Sequence, residues 1–111
     1  MRIRVVSDVL ENQYDGHAVT GGFAKNYMEA SESYIVPGVT SWDNVQTEMP
    51  DPATIVLTAD VTTLGEVPAG DASGQDGRPV DASWVREYIL GADAYWLIPG
   101  ALRATEVTVS D

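Results

Sequence analysis

The stretch TIVLTADVT, residues 54 to 62, alternates so regularly that it specifies a half-buried strand. Ile55, Leu57, Ala59 and Val61 fall on one side and Thr54, Val56, Thr58 and Asp60 on the other. The N-terminal MRIRVVSDVL repeats the pattern, setting Ile3 and Val5 against Arg2 and Arg4. Two such strands commit the chain to a sheet with one apolar and one polar face. With 111 residues, 44% of them hydrophobic, there is material for one domain with a real core, residues 1–111, and not for two of ordinary size. No cysteine is present, which removes disulfides, thiolate metal sites and thiol nucleophiles, so stability has to come from packing.

The rest of the chain is less regular. Asn12 to Gly16 (NQYDG) is turn-rich, and His17 to Thr20 suits a short strand. Phe23 to Ala30 suits a short helix with Phe23, Tyr27 and Ala30 on one face, and Tyr34 to Val36 resume strand character until Pro37 and Gly38. Residues 1–38 are thus expected to form a β-β-α-β lobe. Residues 38 to 53 hold Pro50 and Pro52 and no sustained period, which predicts a connecting loop, and 65 to 79 are rich in Gly, Pro and Asp, which predicts a long exposed one. Asp81 is placed to cap a helix near 82–90, where Trp84 and Tyr88, and Val85 and Ile89, are spaced four apart and Gly91 marks the stop. Strands around Tyr95 to Ile98 and Thr105 to Val109 follow. The class expected is α+β and β-rich: the N-terminal β-β-α-β lobe plus a second antiparallel β group, 54–111, with one short helix.

Charge narrows the partners. Ten Asp and seven Glu stand against one Lys and five Arg, a formal net charge of −11. Phosphate neutralisation needs clustered Lys and Arg, so direct binding to nucleic acid or an anionic membrane is not expected. The N-terminus lacks the uninterrupted apolar run of a signal peptide, and no segment approaches the roughly 20 apolar residues that span a bilayer. Two explanations fit so acidic a surface. One is adaptation to molar salt, where charge is heavily screened; low lysine with abundant Asp, Thr and Val resembles proteins of extreme halophiles. The other is imitation of DNA's charge to occupy a nucleic-acid-binding enzyme.

Residues 15–37 carry a local motif: Asp15, then Gly22-Phe23-Ala24-Lys25-Asn26-Tyr27, then Val36-Pro37. It resembles the N-terminal domain of the bacterial large-subunit ribosomal protein nine, a β-β-α-β module. The resemblance implies a local fold in which glycine turns the chain into the helix, aromatics pack it on the sheet, and Lys25 projects outward to meet a neighbouring subunit's carboxylate. That family binds ribosomal RNA through surrounding bases, which this chain lacks. The opening also looks like the beginnings of small structural proteins in tailed viruses.

Other chemistry is sparse. His17 is the only histidine, and Asp15 beside it is too local to orient it as a catalytic base. Asp71, Asp76 and Asp81 in DASGQDGRPVD offer oxygen ligands suited to Ca²⁺ or Na⁺, though without the spacing of an EF-hand; no other cofactor is implied. Trp42, expected in a loop beside Asp43, suits an interface anchor. Lys25, Trp42 and Asp43 are therefore the expected interface residues. The function expected is assembly, not catalysis: a capsid decoration protein or head-tail connector (neck) component of a tailed virus with a halophilic host. It would be made in the host cytoplasm and found in the virion, self-associating or bound to capsid or neck proteins, with the DNA-mimic inhibitor as the alternative.

Overall fold

The computed structural model describes residues 1–30, 36–70, 74–91 and 97–110. In chain order the elements are β1 (Arg2–Val9), β2 (Gln13–Tyr14), β3 (His17–Ala18), α1 (Gly21–Ala30), β4 (Val39–Asp51), β5 (Thr54–Thr63), α2 (Ala82–Gly91) and β6 (Leu102–Ser110). Four strands form one sheet in the order β4-β5-β1-β6, every neighbour antiparallel, while β2 and β3 pair separately. The architecture is α+β and β-rich. Apart from the inserted β2–β3 hairpin, the connectivity is β-α-β-β-α-β, the split arrangement called ferredoxin-like.

The expected alternation holds in both diagnostic strands. Ile3, Val5 and Ser7 point into the core opposite Ala59, Leu57 and Ile55. Helix α1 adds Ala24 and Met28 to that side and α2 adds Val85 and Ile89, so both helices cover the same sheet face. Burying an aliphatic side chain of this size contributes about 1.5–3 kcal/mol, and that is what holds each helix down. Val56 is buried too, at 7% exposure, but lies outside this core cluster, on the opposite face.

Two expectations are corrected. Residues 38 to 53 are not a loop: most of them form β4, an edge strand hidden from sequence reading by three register irregularities on β5. Inward residues Val39, Trp42 and Val45 recur every three positions, because irregular pairing and the left-handed Asn44 (φ 51°) shift the period of two. Trp42 is accordingly no exposed loop aromatic but a core side chain at 1% exposure, facing Val61 across the ladder. The lobe and the second β group also share one sheet, since β1 lies between β5 and β6. Tyr34 and Ile35 of one expected strand, and Tyr95 and Trp96 of another, lie outside the described residues; Val36 to Gly38 form a turn, and Ile98 bridges to Leu102 just before β6.

Local chemistry explains the shorter pieces. Asp15 (φ 50°) and Gly16 (φ 80°) supply the two left-handed residues of the tight β2–β3 turn. Thr20 caps α1, its Oγ1 accepting the Phe23 N–H at 3.2 Å. Phe23 and Tyr27 then close an aromatic cluster with Tyr14 and His17, with centroids 5.7–6.2 Å apart. Burial, and after it the hydrogen bond with Tyr14, pushes the Tyr27 phenol above its ordinary pKa. Asp81 caps α2 as expected, accepting the Trp84 N–H at 2.9 Å. The 65–80 segment is cinched at its neck by Val80 N–H to Gly65 O and Val67 N–H to Arg78 O.

Candidate functional site

Both helices cover one face; among the described residues no helix or strand packs on the other, the open face, and its residues follow from the pairing register. Across the order β4, β5, β1, β6 they form four rows: Asp43, Asp60, Arg2, Ser110; then Gln46, Thr58, Arg4, Thr108; then Glu48, Val56, Val6, Glu106; then Asp51, Thr54, Asp8, Arg103. Three of the chain's six cations, Arg2, Arg4 and Arg103, lie here. Val6, half-buried, and Val56, buried at 7% exposure, are the two apolar residues of these rows, and Gln46, Thr47, Glu48, Val56 and Thr58 line a hollow of about 220 Å³.

One corner of this face is already organised. Arg2 Nη1 donates to Asp60 Oδ1 at 2.8 Å and Asn44 Nδ2 to Asp60 Oδ2 at 3.0 Å. The bond from Asn44, ahead of the one from Arg2, holds the exposed Asp60 carboxyl below its ordinary pKa. Ser41 Oγ donates to Asp43 at 2.8 Å next to it.

The outer edge of the sheet is treated differently. Val9 N–H to Ala53 O and Val61 N–H to Met1 O show that odd-numbered β1 residues bond towards β5. Even-numbered ones therefore bond towards β6, and Val107, opposite Val5, turns its backbone groups outward. Arg86 on α2 meets that carbonyl, donating from Nε at 3.1 Å. On the other side Lys25 pairs with Glu29 one helical turn along α1, at 2.9 Å. The ammonium is the main cause of the lowered Glu29 pKa, and the Val45 N–H on β4 adds to it.

No protein family, curated protein or solved structure matches the chain. Neither the ribosomal likeness nor the viral one gains support from such comparisons. The motif residues do have local work: Asp15 makes the turn, Phe23 and Tyr27 the aromatic cluster, Ala24 the core.

The expected site residues are dispersed. Asp43 is exposed on the open face, in a strand and not a loop. Trp42 beside it faces the core, and Lys25 is engaged within its own helix. Asp71 lies outside the described residues. Asp76 accepts the Gly70 N–H at 2.7 Å and Asp81 serves as the helix cap, so both carboxylates have structural partners. Among the described residues no three His, Asp or Glu gather as a metal would need. His17 stacks on Phe23. Sequence reading missed the face itself, although its central columns, Arg2-Arg4 and Thr54-Val56-Thr58-Asp60, were visible as the polar halves of two strands.

Proposed function

We propose that this chain is a structural subunit of a virus particle, a capsid decoration protein or head-tail connector component of a tailed virus with a halophilic host, working by contact with other subunits. The observation that carries the assembly part is the sheet face away from the helices: a broad surface with the half-buried Val6 near its middle, ringed by charges of both signs, in a chain that is otherwise overwhelmingly acidic. Mixed charge of this kind suits a protein partner and gives register to the contact. The virus and the salt-loving host rest on composition and on the weaker likeness described above. In molar salt the Debye length falls to about 3 Å, so copies with a net charge of −11 can approach one another.

Mimicry of DNA draws less support from the same face, where Arg2, Arg4 and Arg103 interrupt the carboxylates that would have to imitate phosphates. The two readings separate experimentally. Particles banded from an infected halophile culture that encodes the chain should contain it in stoichiometric amount by mass spectrometry. Its absence from particles, together with salt-labile capture of a nuclease or other DNA enzyme, would move the assignment to the inhibitor.

A further inference from the structure

The register of the open face points to its occupant: we propose that it binds a second copy of this chain, with the two-fold axis parallel to the strands and midway between β1 and β5. This rests on the reading of the chain as an assembly subunit and names the first contact it makes.

A half-turn about that axis keeps the four rows level while laying β1 over the partner's β5 and β6 over the partner's β4. Arg2 then faces the partner's Asp60, and Asp60 faces the partner's Arg2. The 2.8 Å ion pair within each chain becomes half of a closed ring of two guanidiniums and two carboxylates. Arg103 faces the partner's Asp51, Arg4 the partner's Thr58, and Val6 the partner's Val56, above the 220 Å³ hollow. Glu106 against the partner's Glu48 is the one like-charged opposition among the sixteen positions.

The competing in-plane axis, across the strands, fits worse. It opposes Arg2 to the partner's Asp8, but it sets Asp43 against the partner's Asp51 and lays the Arg4 guanidinium over the partner's Val6. Strand-edge pairing through β6 is obstructed by Arg86 on the Val107 carbonyl.

Four strands at about 4.8 Å spacing and rows two residues apart give a footprint of roughly 400 Å² per copy. At about 800 Å² in total this is smaller than a stable specific interface, so the contact is a weak, transient one. Twist makes the inner columns, β1 and β5, the best matched, and Arg103 has the length to reach from the outer one. With a net charge of −11 on each copy, association is weak in dilute buffer and tightens as salt screens the repulsion.

The like-charged opposition supplies a diagnostic test. Sedimentation equilibrium in about 0.5 M KCl compares the native chain with Glu106→Lys, Glu48→Lys and the double variant, with circular dichroism confirming that each is folded. Each single change converts a repulsion into an attraction and should tighten the dimer about tenfold. The double variant opposes lysine to lysine and should fall back to native affinity or weaker, although its net charge is the least negative of the set. A double variant that is tighter than either single one means that only net charge matters, and the interface is elsewhere. A chain that oligomerises with no response to any of the three also overturns the face while leaving the assembly reading standing. A chain that is monomeric throughout overturns the dimer, and the assembly reading is then decided by the particle analysis.

Discussion

Arg86, an exposed residue of α2, donates from Nε to the carbonyl oxygen of Val107 at 3.1 Å, so a helix side chain occupies an acceptor that the outermost strand would otherwise offer to another chain. Edge strands invite such pairing unless they are covered, charged or bent. Arg86→Ala should lower stability by about 1–2 kcal/mol in urea unfolding and raise the rate of aggregation on heating. Unchanged aggregation would mean that the bond contributes stability without guarding the edge.

Gly38 ties the start of β4 to the 65–80 segment. Its φ is +84°, and a Cβ there would sit 2.5 Å from Val80 Cγ2. The left-handed backbone costs a non-glycine residue about 1–2 kcal/mol and the overlap a further 1–3 kcal/mol. Gly38→Ala should therefore shift the thermal midpoint down strongly. Gly22→Ala, where a Cβ meets only Thr20 Oγ1 at 4.0 Å, should leave it level or raise it.

Trp42 and Trp84 should respond oppositely to solvent probes. Trp42 is 1% exposed, and Trp84 lies half-buried against Tyr88 with centroids 5.1 Å apart. Trp42→Ala should cost about 3–5 kcal/mol and reduce the blue-shifted, iodide-resistant part of the emission. Loss of the iodide-accessible part instead would contradict the placement of β4.

Acid should loosen the two exposed ion pairs. Glu29 and Asp60 are both held below their ordinary values. What they contribute is therefore present above the unfolded carboxylate range, near pH 4, and is lost as pH falls through the lower folded values. In a carboxyl NMR titration, Asn44→Ala and Arg2→Gln should each raise the Asp60 midpoint, and Lys25→Gln should return Glu29 towards its ordinary value. An Asp60 midpoint that does not move in Asn44→Ala would contradict the bond between them.

Legibility in the sequence followed regularity of the backbone. β1, β5 and α2 were plain because Ile3-Val5, Ile55-Leu57-Ala59-Val61 and Asp81-to-Ile89 keep an unbroken period and a cap. β4 was invisible because its pairing slips between Val39 and Ser41, between Asp43 and Gln46, and between Glu48 and Asp51, so no period survives and Pro50 reads as a breaker. Trp42 was misplaced for that reason alone. The open face could not be assembled from sequence, because which strands neighbour β1 depends on crossovers through α1 and α2 that local patterning does not encode. Lys25, conspicuous as the only lysine, has a local partner in Glu29, a spacing of four that was open to reading.

Self-association as a function of salt bears most directly on the account. Sedimentation velocity of the unaltered chain, folded throughout by circular dichroism, should show monomer in dilute buffer and a growing dimer population as KCl rises towards about 2 M. A single monomeric boundary over the whole range, or a dimer that dissociates as salt is added, would contradict it.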